Sequence, residues 1–245
     1  MGEAKRRQAA GKRSPVSERK HHRTLLFGGA VAVGVLVLMA LLWWVTQPPG
    51  AGSDELPVAT SNRPFPSTYD SVGVSMGAAD APIVVREFAD YQCPACARFA
   101  PASEKLRDTY VKEGKVRLVF FDLPLRQHKN AMPAALAARC AADQQAFWPM
   151  QDKLYDGQSD WEGLSDPVPA FVRFADELGL DSRRLSRCIE TDLHRDVINQ
   201  SVGVSQKMKV ASTPTVYVNN IRLTRPGWAQ LDAVIKRELG QENTQ

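Results

Sequence analysis

The chain has 245 residues, 44% of them hydrophobic and 24% charged, with a formal net charge of +4. Residues 1–24 carry eight Lys/Arg against Glu3 and Glu18, a balance of +6 that leaves −2 for everything after them. The basic character therefore belongs to the tail and not to a folded domain, and no nucleic-acid partner is expected, because the apolar segment that follows explains the tail.

That segment, residues 25–45, runs without a charge from Leu25 to Trp43-Trp44-Val45. At about 1.5 Å per residue it spans about 30 Å, the thickness of a hydrocarbon core. The apolar core of a cleaved secretory signal is shorter, roughly 7–15 residues. The tryptophans end the run where an interfacial aromatic belt would sit. A retained single-pass anchor is the expectation, although Ala51-Gly52-Ser53 leaves room for a cleaved signal. With the positive tail held in the cytoplasm, residues 46–245 are exported and the chain sits in the cell membrane. Residues 46–72, with Pro48-Pro49-Gly50, Pro57, Pro64 and Pro66, read as an extended tether.

Residues 73–241 remain for one domain. Residues 82–88 form a β-branched run read as a buried strand that leads directly to Cys93. From Pro94 to about Glu113 the spacing of Phe99, Leu106 and Tyr110 predicts a helix, which Pro101 should kink. Residues 116–121 are a second strand. A helical block of about 125–208 follows, with Asp181 placed as an N-cap ahead of Leu185, Cys188 and Ile189. Residues 215–218 and 221–223 read as a hairpin about Asn219-Asn220, and Trp228 to Leu239 as a final amphipathic helix. The class is α/β with a helical insertion.

All four cysteines, Cys93, Cys96, Cys140 and Cys188, lie in the exported part, and an even count there is a disulfide signature. Cys93-Pro94-Ala95-Cys96 places two thiols one turn apart at the start of a helix. Unpaired N–H groups and the helix dipole favour a thiolate on the first, and the thiolate is the attacking species. The second thiol resolves the mixed disulfide. A structural disulfide or half of a zinc site are the other readings of such a pair. No second pair at ligand spacing exists, neither His128 nor His194 completes one, and no metal is expected. Glu87 interrupts the apolar strand six residues before Cys93. It reads either as a proton acceptor for Cys96 with a raised pKa or as a salt-bridged strand residue. Thr213-Pro214 stands just ahead of a strand, either as a simple turn or as a cis bond that offers backbone groups to a substrate.

Residues 88–96 (Phe-Ala-Asp-Tyr-Gln-Cys-Pro-Ala-Cys), the lead-in at 77–82 and Thr213-Pro214-Thr215 together resemble the DsbA-like branch of the thioredoxin superfamily, over roughly residues 73–240. The resemblance implies a thioredoxin-like fold with a helical insertion, Cys93 as nucleophile, Glu87 as proton acceptor and a cis Thr213–Pro214 bond. It also implies a second, structural disulfide between Cys140 and Cys188, against which stand two separate buried thiols. Strongly oxidising members often carry histidine between the cysteines, where this chain has Pro94-Ala95. The function implied is an extracytoplasmic oxidoreductase that introduces disulfides into exported cysteine-containing proteins. A monomer without cofactors is expected, reoxidised by a quinone-linked oxidoreductase of the membrane. A reductase or isomerase with the pair kept reduced, and a non-catalytic binding module, are the alternatives.

Overall fold

The computed structural model describes residues 34–39, 41, 56–58 and 64–242. Residues 34–39 and 41 are helical, with Val35 through Met39 and Leu41 about half exposed. The remainder of the expected anchor, the basic tail and most of the tether lie outside the described residues. Among the described residues no helix is long and apolar enough to cross a membrane.

The domain is built on one five-stranded sheet with the strand order β1-β3-β2-β4-β5. β1 is Val74–Met76, β2 Ile83–Ala89, β3 Val116–Asp122, β4 Thr215–Val218 and β5 Ile221–Arg222. β2 and β3 are parallel, which requires a crossover, and helix α1 (Pro94–Leu106) supplies it. The helix runs on through Pro101 and ends in a π turn at Arg107–Val111. The other pairs, β1–β3, β2–β4 and β4–β5, are antiparallel. β4 and β5 form the expected hairpin, and Asn219 takes a φ of 52° there, a conformation that asparagine tolerates.

Strand periodicity sorts the two faces of the sheet. Ile83, Val85, Val116, Leu118, Val216 and Val218 pack with Phe99 and Leu106 of α1 and with Leu231, Val234 and Ile235 of the last helix, α8 (Trp228–Glu242). Phe88, Val119, Phe121, Phe65, Val204 and Val210 form the core of the opposite face, where the rings of Phe88 and Phe121 stack at 4.5 Å.

Between β3 and β4 lies the helical insertion: α2 (Ala131–Ala142), α3 (Phe147–Asp156), α4 (Gln158–Trp161), α5 (Val168–Glu177), α6 (Ser182–Glu190) and α7 (Arg195–Lys207). Ala134, Ala135, Ala137, Ala138 and Ala141 are all buried, so α2 is enclosed on several sides. Small side chains let α3 and α6 approach it closely. Asp181 caps α6 as expected, its Oδ1 accepting from Arg184 N–H at 2.9 Å. Arg139 of α2 reaches the buried Asp122 at the end of β3, with Nε 2.7 Å from Oδ2.

The expected boundary at residue 73 is corrected. Residues 64–72 belong to the folded domain, and Ser67–Val72 form a 3₁₀ turn. Phe65 is only 6% exposed, and Asp70 makes a buried two-point pair with Arg86 at 2.6 and 2.8 Å. The Arg86 guanidinium also lies 4.3 Å over the Phe65 ring. The proline-rich composition suggested a tether, but a buried arginine on β2 needs a carboxylate partner, and this segment carries it. Farther back, Arg237 Nη2 donates to Pro57 O at 2.8 Å. Strand β1, absent from the sequence-based expectation, is three residues long and acquires its pairing only from β3.

Candidate functional site

The β2–β4 register assembles the site. Phe88 stands opposite Thr215, so the end of β2, which leads to Cys93, lies beside the start of β4, which follows Pro214. Two segments 121 residues apart in sequence thus meet at one end of the sheet. The Thr213–Pro214 peptide bond is cis.

Cys93 is the N-cap of α1, with extended backbone (φ −75°, ψ 121°), and Pro94 takes the first helical position, where no N–H is needed. Both sulfurs are free thiols here. Cys93 is 8% exposed and Cys96 is fully buried. A hydrogen bond from the Cys96 thiol is the main reason that the Cys93 pKa falls to about 5; Thr213 and the N–H groups of Cys96 and Ala95 add to it, against the opposing effect of burial. Cys93 Sγ lies 3.5 Å from the Thr213 carbonyl oxygen. The Thr213 hydroxyl is buried, and the Cys93 thiolate is the group to which it can donate. Burial, and then the neighbouring Cys93, push the Cys96 thiol far up, so it holds its proton. One sulfur is an anion at neutral pH and the other a buried acid beside it.

Glu87 sits on the α1 face of β2, 2% exposed. Burial raises its pKa to about 7, while a hydrogen bond from Ser103 Oγ at 2.8 Å and the charge of Arg107 pull it back. A carboxyl half-ionised near neutrality is suited to taking or giving a proton. The Tyr155 phenol, from α3, is held well above its usual pKa, chiefly by burial. Its hydroxyl and that of Tyr91 are buried without partners.

The pH dependence of Glu87 has a definite sign. Its folded-state pKa of about 7 lies above the ordinary 4.5, so the unfolded chain ionises first and stability falls as pH rises from 4.5 to 7. Glu87→Gln keeps an acceptor for Ser103 and cannot ionise. Urea unfolding should show it more stable than the wild type at pH 8, by up to about 3 kcal/mol, and equal at pH 4. Equal stability at both pH values would contradict the buried, raised carboxyl.

In the insertion, Cys140 and Cys188 form a disulfide (S–S 1.96 Å, Cα–Cα 5.9 Å) that joins α2 to α6. With His194 their donor atoms lie within 4.8 Å of one another. Bonded to each other, however, the sulfurs are not thiolates and lack the charge that holds a metal. His194 Nε2 is hydrogen-bonded to Asp143 Oδ2 at 2.9 Å.

The family model described as thioredoxin matches residues 70–237, well over half of the chain. The chain belongs to the thioredoxin family. Among similar proteins, a probable disulfide bond formation protein D of Bacillus anthracis is 28% identical, over 67% of this chain and 77% of its own length. A Na(+)/H(+) antiporter NhaA 3 of Salinispora tropica is 36% identical over 60% of this chain, which spans about a fifth (21%) of the antiporter's length. Of the solved structures, oxidised BdbD from Bacillus subtilis superposes with a TM-score of 0.63 at 24% identity, over 76% of this chain and 96% of that one. A thioredoxin-like oxidoreductase from Silicibacter pomeroyi gives 0.56 at 27% identity, over 72% and 97%.

The fold brings Cys93 and Cys96 beside Thr213 and Pro214 at one end of the sheet, places Glu87 on the strand that leads to them, and leaves Cys140 and Cys188 bonded within the insertion. Sequence reasoning missed Ser103, whose bond to Glu87 crosses 16 residues without a periodic signal. It also gave no role to Asp90 or His128. The two residues before Cys93 are tied to the insertion: Gln158 Nε2 donates to Tyr91 O at 2.6 Å, and Gln92 Oε1 accepts from Asn130 N–H at 2.7 Å. Asn130 Nδ2 in turn donates to Leu164 O at 2.9 Å.

Proposed function

We propose that this chain is a membrane-anchored, extracytoplasmic dithiol oxidase that introduces disulfides into exported proteins. The observation that carries the reading is the asymmetric pair: Cys93 at the mouth of α1, held as a thiolate by the Cys96 thiol behind it. An acidic, well-stabilised Cys93 lowers the free energy of the reduced pair, and a protein whose reduced form is stabilised is an oxidant. The names of the Bacillus relatives favour the same direction.

In the forward reaction a substrate thiolate attacks Cys93 Sγ of the Cys93–Cys96 disulfide. A new S–S bond forms to the substrate, the old one breaks, and its electron pair goes to Cys96, which takes up a proton that Glu87 can supply. A second substrate thiolate then displaces Cys93. The substrate loses two electrons and the pair gains them. Thr213 and Pro214, beside Cys93, present backbone to a substrate strand, and the Cys140–Cys188 bridge braces the insertion. The uncharged run at 25–45 and the +6 tail ahead of it support an anchor with the domain outside the cytoplasm. A quinone-linked membrane oxidoreductase suits reoxidation, and the protein acts as a monomer.

A redox titration of residues 64–245 against glutathione tests the direction. A potential well above the value of about −270 mV typical of thioredoxin is the result expected of an oxidase. A value near −270 mV would make this protein a reductase.

A further inference from the structure

Two ionisable residues built into the wall behind Cys96 have no part in the exchange reaction as described. Asp90 follows β2 directly and its side chain is fully buried. It accepts three hydrogen bonds: from Gln92 N–H at 2.7 Å, from Leu125 N–H at 2.8 Å, and from His128, whose Nδ1 lies 2.8 Å from Oδ2. Two of these donors come from the segment between β3 and α2, which leads into the insertion. The Asp90 peptide N–H itself points at Cys96 Sγ, 3.5 Å away.

We propose that Asp90, clamped by His128, is a positioning residue that aims its own peptide N–H at Cys96 Sγ, the sulfur released when a substrate thiolate attacks Cys93. The inference rests on the redox reading above and adds to it where the leaving sulfur goes. Three donors on one carboxylate fix the side chain of residue 90 and, with it, the plane of the peptide that carries the N–H. When the S–S bond breaks, the electron pair arrives on Cys96 Sγ, and this N–H is already in place to meet it. In the reduced state the same contact completes a chain in which Asp90 N–H donates to Cys96 Sγ and Cys96 S–H donates to the Cys93 thiolate. Bonds in such a chain polarise one another in the same sense. A neutral Asn or Ser could close the turn at residue 90 equally well. A buried carboxylate costs desolvation that a turn alone does not require, which argues for a task beyond closing it.

The clamp and the charge of the imidazole make different predictions, and two substitutions at His128 separate them. His128→Ala removes the donor and any charge; His128→Asn keeps an N–H donor close to the position of Nδ1 and carries no charge. The measurement is the equilibrium constant of the Cys93–Cys96 pair with glutathione at pH 7. The amide resonance of residue 90 is followed by NMR in the oxidised and reduced states. His128→Ala should lower the constant for reduction about five- to tenfold, the value of one hydrogen bond, and His128→Asn should restore most of it. The residue 90 amide should shift on reduction in the wild type and in His128→Asn, and much less in His128→Ala. An unchanged constant in His128→Ala overturns the proposal. So does a failure of His128→Asn to restore it, which would assign the effect to charge. A loss of melting temperature with an unchanged constant and shift would make the clamp merely structural. If the wild type itself fails to exchange with glutathione, the redox reading falls first and this inference with it.

Discussion

Replacing Cys93 by alanine abolishes disulfide exchange, with a loss of at least about a thousandfold in the rate of insulin reduction while the fold is retained. The reason is access as much as chemistry. Cys96 is fully buried and keeps its proton, so it cannot substitute as the attacked or attacking sulfur. In the wild-type protein, the rate of Cys93 alkylation should be half-maximal near pH 5, whereas a free cysteine titrates near about 8.5. Cys96→Ala removes the largest contribution to that shift, and the midpoint should move up towards the ordinary range.

The same shift links redox state to stability. A folded-state pKa of about 5 against 9.0 for the ordinary group favours the folded, reduced form. That contribution is complete above pH 9, declines as pH falls, and is gone below about 5. At pH 7 it amounts to roughly 2–3 kcal/mol. The oxidised protein has no such thiolate. Urea unfolding of the two forms should therefore show the reduced form gaining on the oxidised one as pH rises from 5 to 9. A gap that stays constant over this range, or an alkylation midpoint near 8.5, would mean that neither the Cys96 thiol nor the helix terminus activates Cys93.

The Cys140–Cys188 bridge carries the second large effect. It closes a loop of 48 residues, and in the chain-entropy account a crosslink of that span contributes about 4 kcal/mol. The double substitution Cys140→Ala/Cys188→Ala should lower the melting temperature by about 8–16 °C for a domain of this size. Exchange by Cys93 should persist at 25 °C, within about twofold of the wild type, because neither bridge cysteine contacts the reacting sulfurs through any hydrogen bond. The two sites are nevertheless neighbours in packing. Cys93, Cys96, Cys140 and Cys188 belong to one apolar cluster, together with Met150, Leu154 and Trp161 of the insertion. Loss of exchange at unchanged stability would therefore reverse the assignment and give the second bridge a redox role.

The local signals in the chain were those that report a buried face or a helix end. The β-branched runs at 83–89 and 116–122, the apolar spacing of α1, the cap at Asp181 and the Asn219-Asn220 turn needed only their own neighbours to be understood. The thiol pair was legible for the same reason: its acidity starts from a helix N-terminus that Cys93-Pro94 itself begins. Thr213-Pro214 remained ambiguous from local sequence, and only the Phe88–Thr215 register sets it beside Cys93. Asp70 could not be assigned to the domain until Arg86 was seen buried opposite it. Ser103 on Glu87, and His128 on Asp90, cross 16 and 38 residues with no periodicity to announce them. Sequence pattern states which face of an element is dry. Which groups then face each other in that dry interior depends on register and crossover, and these are decided by packing the whole domain at once.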